Sequence, residues 1–164
     1  MNPPKDLAHL TIRPASPDDV EALYAVYAEL AADGAVEPQQ SKSLRQTFEE
    51  GWIRDRAVYA AHLDGFVAGG YFLRANFPAF AAHIAQGGYL VARSVRRQGI
   101  GRKLVEHSLH EAATAGYTAM MFNLVMESNP SRHLYESLGF QRIGTIPDVH
   151  GTESAFIYWR SLTG

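Results

Sequence analysis

Val91-Ala92-Arg93-Ser94-Val95-Arg96-Arg97-Gln98-Gly99-Ile100-Gly101-Arg102-Lys103 is the stretch on which the reading of this chain turns. It lies between a run that reads as a strand, Gly87 to Ala92, and a helical face made by Ile100, Leu104, Val105, Leu109 and Ala112. Two glycines separated by one residue let the backbone bend so that its N–H groups face one point. The positive end of the following helix faces the same point. Such a nest of amides suits a pyrophosphate. Arg96, Arg97, Arg102 and Lys103 add positive charge within a turn of it. The same features also describe an ordinary turn and a solvated helix start, so the loop needs its context. No Gly-Lys-Ser/Thr closes a Walker pattern. The dinucleotide fingerprint lacks its third glycine, because Lys103 and Leu104 follow.

Outward from this loop the chain divides into short alternating elements. Leu10 to Arg13 reads as a first strand ending at Pro14. Ser16-Pro17-Asp18-Asp19 supplies a capping residue, a proline for the first helical position and acidic residues in the first turn. Val20, Leu23, Val26, Tyr27 and Leu30 continue that helix to Gly34, and Ser43 to Trp52 reads as a second. Ala57 to Leu63 and Phe66 to Leu73 are apolar runs joined at Asp64-Gly65, a two-residue hairpin signal. Asn76-Phe77-Pro78 marks a loop. Beyond the loop's helix, Ala119 to Val125 reads as a buried strand and Asn129-Pro130-Ser131 as the start of a short helix ending at Gly139. Phe140 to Ile146 and Ser154 to Trp159 read as the last strands. The order β-α-α-β-β-β-α-β-α-β-β predicts an α/β protein built on a mixed sheet with helices on both faces.

The 164 residues suit one domain with one core, expected to occupy 1–164. Hydrophobic residues at 46% and charged residues at 20% exclude wholesale disorder. A formal net charge of −2 gives no electrostatic case for nucleic acid. The absence of cysteine rules out disulfides, thiolate metal sites and a cysteine nucleophile, and it fits a reducing, cytoplasmic setting. Met1 to Leu10 lacks the apolar run of a signal peptide, and no stretch reaches the ~20 apolar residues of a spanning helix, so no membrane partner is expected. The histidines show no paired metal spacing, and no metal is expected; His107 and His110 lie three apart with no carboxylate pattern to complete a site.

Arg96-Arg97-Gln98-Gly99-Ile100-Gly101 resembles the Arg/Gln-x-x-Gly-x-Gly/Ala acyl-coenzyme A signature of the GCN5-related N-acetyltransferases. Asn129-Pro130-Ser131-Arg132-His133-Leu134-Tyr135-Glu136-Ser137-Leu138-Gly139-Phe140 is similar to that family's second motif, at the interval one helix and one strand would occupy. The likeness covers roughly Leu10 to Trp159 and is sharpest from Gly88 to Gly144. It implies the family's fold, a central mixed, mostly antiparallel sheet flanked by helices, and acetyl-coenzyme A as co-substrate. It also implies that Arg96, Arg97, Gln98, Gly99, Ile100, Gly101 and Arg102 hold the pyrophosphate, while Tyr89, Leu90, Val91 and Ala92 line the pantetheine arm. Arg93 and Arg97 stand where the family often has proline and glycine. Asn129 is implied to cap its helix and to contact the coenzyme.

Amine acetylation needs a neutral amine, a polarised thioester carbonyl and a proton for the departing thiolate. By the resemblance Tyr135 is the candidate general acid and also contacts the coenzyme; the alternative is a tyrosine packed in the core. Glu127, His133 and His83 are candidates to relay a proton to solvent, with an exposed or structural role as the plainer reading of each. Met121-Phe122-Asn123-Leu124-Val125 and Phe140-Gln141-Arg142-Ile143-Gly144 resemble, more narrowly, the proline-analogue N-acetyltransferases. That likeness implies a small amino- or imino-acid acceptor, with Asn123, Leu124 and Gln86 at the acceptor site. Gln86 replaces an asparagine of that group. Phe72, Phe77, Phe80 and Tyr89 suggest a partly closed aromatic pocket. Rival readings are a peptide or protein N-acetyltransferase, a non-catalytic acyl-coenzyme A-binding module and a structural interaction domain. The sequence leaves the oligomeric state open; dimers are common in the family it resembles, so a homodimer is one implied assembly, and the apolar strand Ala155 to Trp159 either pairs across chains or lies inside the sheet.

Overall fold

The computed structural model describes residues 6–36 and 40–164. Its elements follow the predicted order: β1 (Thr11–Pro14), α1 (Pro17–Ala32), α2 (Leu44–Phe48), β2 (Ala57–Leu63), β3 (Phe66–Ala75), β4 (Ile84–Val91), α3 (Ile100–Thr114), β5 (Ala119–Met126), α4 (Arg132–Ser137), β6 (Gln141–His150) and β7 (Glu153–Ser161). The strands form one seven-stranded sheet in the order β1-β2-β3-β4-β5-β7-β6. The β1–β2, β2–β3, β5–β7 and β6–β7 pairs are antiparallel. Hydrogen bonds from Asn76 N–H to Ile84 O and from Ala92 N–H to Ala68 O run β4 antiparallel to β3. Only β4 and β5 are parallel, through Ile84↔Ala119 and Ala85↔Met120. The sheet is therefore mixed and mostly antiparallel.

Local chemistry explains the boundaries. At the start of α1 the Asp19 N–H donates to the Ser16 hydroxyl at 3.3 Å and the Ser16 N–H donates to the Asp19 carboxylate at 2.8 Å. That reciprocal cap, with Pro17 in the first turn, stabilises the helix by about 1 kcal/mol. Asp64 (φ 49°) and Gly65 (φ 84°) are both left-handed, the geometry whose twist matches a two-residue hairpin between β2 and β3. Three boundaries differ from the sequence reading. The second helix keeps α geometry only to Phe48 and widens into one π-helical turn over Glu49–Ile53, closed by Arg54 N–H to Glu49 O at 2.8 Å; both Phe48 and Trp52 are buried across it. The fourth strand begins at Ile84 rather than Gly87, because Ile84 and Ala85 pair with β5. The sixth runs past Ile146 to His150, its register with β7 shifting where Pro147 and Asp148 interrupt the ladder.

Two compact units divide the chain. The first comprises the described residues up to Arg74 together with Gly88–His107. Its core joins Leu23, Val26 and Tyr27 of α1 to Ala60, Ala61, Leu63, Ala68, Tyr71 and Phe72 of the sheet. Phe48 sits 5.1 Å from Tyr27 and 6.4 Å from Trp52, and Trp52 meets Phe72 edge-on at 4.9 Å. The second comprises Ala75–Gly87 and Ser108–Gly164. There Phe122 stacks on Phe140 at 4.7 Å, and Met120, Val125, Phe156 and Tyr158 are buried with them. β7 lies inside the sheet, between β5 and β6, so it has no edge to offer a second chain. Among the described residues no helix is long and apolar enough to cross a membrane.

Candidate functional site

In the first unit the loop after β4 has a defined shape. Arg93–Val95 makes a single 3-10 turn, Arg96 is extended, and Arg97 takes a left-handed φ of 61°. Gly99 follows at φ 87°, a conformation an L side chain adopts only at a cost of about 1–2 kcal/mol. The Lys103 N–H donates to Gly99 O at 3.2 Å, so Gly99 stands at the head of α3. The N–H groups of Ile100 and Gly101 belong to the first turn, where a helix has no carbonyl of its own to bond. They are donors aimed out of the helix end, and the helix dipole adds to them.

The arginines of this loop are not equivalent. Arg96 is half-buried; its Nε donates to Val91 O at 3.3 Å and its Nη1 pairs with the Asp33 carboxylate at 3.4 Å. Its Nη2 is buried with no partner among the described residues. A buried guanidinium N–H of this kind is costly to leave unmet, and a phosphate oxygen would meet it. Arg97 is exposed. Arg102 and Lys103 both reach Glu106, at 3.4 and 3.5 Å, so their charge is partly offset on the helix itself. Asp33 also pairs with Arg93, and the Glu29 carboxylate accepts the Arg93 N–H at 3.1 Å. The end of α1 thus braces the loop. No local signal marks Glu29 or Asp33 for that role, since they lie some sixty positions upstream. Of the strand residues, Leu90 and Ala92 are buried, while Tyr89 and Val91 are half-buried; Tyr89 lies 5.9 Å from Tyr71.

In the second unit Tyr135 is buried in an aromatic cluster with Phe122 at 4.7 Å, Phe140 at 5.8 Å and Tyr158 at 6.2 Å. Burial pushes its phenol up to about 12, against a hydrogen bond with Ser131 that pulls it the other way. It is therefore a phenol at every working pH. Asn129 begins the approach to α4: its side-chain oxygen accepts the Ser131 N–H at 2.8 Å, and its carbonyl accepts the Arg132 N–H at 3.3 Å. Ser131, not Asn129, stands at the N-cap of α4 and no side chain caps it; Asn129 instead stabilises the turn that leads into it. Glu127 and His133 are exposed. His83 is exposed too, with Nδ1 3.0 Å from Phe80 O; a neutral ring there carries its proton on Nδ1 and its lone pair on Nε2.

Asn123 and Leu124 occupy an irregular step of β5. The register with β7 shifts between Phe122 and Val125, and Leu124 is 56% exposed in an otherwise apolar strand. Bulges of this kind re-aim side chains next to sites. The Asn123 carboxamide bonds that of Asn76, at the start of the 76–78 loop. Gln86 is half-buried on β4. The aromatic residues do not all serve a pocket: Phe72 is core beneath Trp52, whereas Phe80 is 95% exposed. Among the described residues no three His, Asp or Glu side chains are placed to hold a metal ion.

The sequence pattern of the acetyltransferase (GNAT) family matches residues 21–140. Over 97 residues the chain is 38% identical to N-acetyltransferase aca1 of Schizosaccharomyces pombe, a stretch that is 55% of this chain. It covers 46% of that relative, so the chain spans less than half its length. A GCN5-related N-acetyltransferase from Kribbella flavida superposes with a TM-score of 0.86 at 27% identity, covering 95% of this chain and 99% of that one. An acetyltransferase from Salmonella typhimurium, determined with its cofactor acetyl-CoA, superposes with a TM-score of 0.80 over 96% of both chains. At 20% identity that second likeness is one of fold.

Proposed function

Because the chain belongs to the GNAT acetyltransferase family, we propose that it transfers an acetyl group from acetyl-coenzyme A to the amine of a small molecule, a proline analogue or another amino or imino acid. The observation that carries this reading is the head of α3: a left-handed Gly99, the first-turn N–H groups of Ile100 and Gly101 and a buried Arg96 Nη2 in want of an acceptor. Together they fit a linked pair of phosphates, the part of coenzyme A that needs an anion site. Arg97, Gln98, Ile100, Gly101 and Arg102 complete the loop, and Tyr89, Leu90, Val91 and Ala92 offer backbone to the pantetheine arm. Asn129 supports the coenzyme from the start of α4.

In the reaction the acceptor nitrogen forms a C–N bond to the acetyl carbonyl carbon, the C–S bond breaks, the thiolate gains a proton and the amine loses one. Tyr135 is the donor in this reading. An ordinary thiol titrates near 8.5, so a phenol at about 12 is the weaker acid by roughly 3.5 decades, or about 5 kcal/mol. Tyr135 therefore acts first as a hydrogen-bond donor to the developing thiolate, and full transfer is coupled to loss of the amine proton. Asn123, Leu124 and Gln86 receive the acceptor.

The same reading treats residues 1–164 as a single catalytic domain and places it in the cytoplasm, since a chain without cysteine suits a reducing compartment. It includes a homodimer. A second copy would meet the exposed edge of β6, where Ile143 and Ile146 are exposed, rather than β7.

The test is release of free thiol from acetyl-coenzyme A over proline analogues, amino acids, polyamines and short peptides. Turnover on a small amino or imino acid supports the reading. Turnover on peptide N-termini alone replaces the acceptor class, and coenzyme binding with no turnover on any amine makes the chain a binding module.

A further inference from the structure

Asn76 and Asn123 form a reciprocal carboxamide pair within the second unit. Asn76 Nδ2 donates to Asn123 Oδ1 at 2.7 Å, and Asn123 Nδ2 donates to Asn76 Oδ1 at 2.7 Å. Turning either amide alone would set nitrogen against nitrogen and oxygen against oxygen, so each fixes the other's orientation. Asn76 is itself anchored, because its backbone N–H donates to Ile84 O at 2.8 Å and closes the 76–84 loop. Asn123 sits at the irregular step of β5, between buried Phe122 and exposed Leu124. Both asparagines are half-buried. The pair is thus a built feature at the step where β5 leaves its regular ladder.

A carboxamide has two N–H donors and one oxygen with two lone pairs. The pair uses one donor and one lone pair of each residue. Asn123 keeps a second N–H, and a second lone pair, on a side chain that cannot turn by itself without losing both bonds to Asn76. The group best matched to a fixed, uncharged donor is an anionic acceptor, since a charge-assisted hydrogen bond is roughly twice as strong as a neutral one.

We propose that Asn76 is a positioning residue that locks the Asn123 carboxamide as a donor for the carboxylate of the acceptor, and thereby makes the enzyme prefer carboxylate-bearing amines. This rests on the acetyltransferase reading above and adds the device that selects within it. Asn76 touches neither coenzyme nor reacting atoms in this scheme; it acts through Asn123.

The experiment compares proline with pyrrolidine, which differ by the carboxylate alone, in the thiol-release assay at saturating acetyl-coenzyme A. Wild type, Asn76→Ala, Asn76→Asp, Asn123→Ala and the Asn76→Ala/Asn123→Ala double variant are measured, with melting temperatures alongside. Wild type should favour proline by about tenfold or more in kcat/KM, as expected when a site built to hydrogen-bond a group meets an analogue lacking it. Asn76→Ala should lose most of that preference, the change falling in KM for proline rather than in kcat. Asn76→Asp should lose more, because it sets a carboxylate beside the donor. Should Asn76→Ala not fold, Asn76→Asp still accepts one bond from Asn123 and carries the test. In the Asn123→Ala background the further change Asn76→Ala should alter the preference less than twofold. An unchanged preference in Asn76→Ala, an equal loss on both amines, or additive effects in the double variant would overturn the proposal. A wild type that acetylates pyrrolidine as readily as proline overturns it while leaving the acetyltransferase reading intact. No release of thiol with any amine defeats both.

Discussion

Replacing Tyr135 with phenylalanine removes one oxygen from a buried site and almost nothing else. The ring keeps its neighbours Phe122, Phe140 and Tyr158, at 4.7, 5.8 and 6.2 Å, so the aromatic cluster of the second unit stays packed. The lost hydroxyl had been moved from 10.0 to about 12 by burial, which corresponds to about 3 kcal/mol in favour of the phenol. At pH 7.5 fewer than about one molecule in ten thousand carries a phenolate, so the proton is in place throughout the working range. A positioned donor contributes about 10²–10⁴ in rate. Tyr135→Phe should therefore lower kcat by about a hundredfold or more, equivalent to about 3 kcal/mol, with acetyl-coenzyme A affinity within about threefold of wild type. Thiol release at saturating acetyl-coenzyme A gives kcat, and calorimetry gives the affinity. The wild-type rate should also show no alkaline fall from this group below about pH 10, because its titration lies near 12. A variant within threefold of wild-type kcat refutes the role. So does a wild-type alkaline limb near pH 8 that vanishes in the variant.

Three further outcomes follow from the same structure. Gly99→Glu forces an L side chain to φ 87° and adds a negative charge at the head of α3; acetyl-coenzyme A affinity should fall by about a hundredfold or more by calorimetry, with the circular dichroism spectrum unchanged. Burial alone would raise the Asp19 carboxyl, but the Ser16 N–H, the His62 ring at 2.8 Å and the Ser16 hydroxyl hold it at about 2. Its folded value lies below its ordinary 3.8, so about 2 kcal/mol of stability is present above that value and is lost as pH falls toward 2. Urea unfolding of Asp19→Asn should lack that part of the acid dependence, and an identical profile would remove Asp19 from the account. Asn129→Ala deletes the acceptor of the Ser131 N–H and should cost about 1 kcal/mol in the same assay.

Much of the fold was legible because its signals are local. Ser16-Pro17 with Asp19, and Asp64-Gly65, each act within four residues, and the structure places a helix cap and a hairpin turn at those positions. The bend at Gly99 was legible for the same reason, since a glycine at the head of a helix is a contiguous pattern. What was not legible depends on residues far apart in the chain. Glu29 and Asp33 brace Arg93 from the end of α1, and nothing in their own surroundings marks them. Asn76 meets Asn123 across 47 positions, and the step in β5 that accompanies the pair shows only in the register with β7. Phe72 and Phe80 look alike in sequence, yet one fills the core and the other is 95% exposed. Tyr135 was visible as a residue, but its raised phenol reflects packing by Phe122 of β5, Phe140 just before β6 and Tyr158 of β7.

Titration of acetyl-coenzyme A into the purified wild-type protein at neutral pH, followed by calorimetry, bears most directly on the anion site at Gly99. Saturable one-to-one uptake, weakened by added salt and competed by free coenzyme A, is the predicted result. No heat of binding at millimolar ligand would contradict the account at its root.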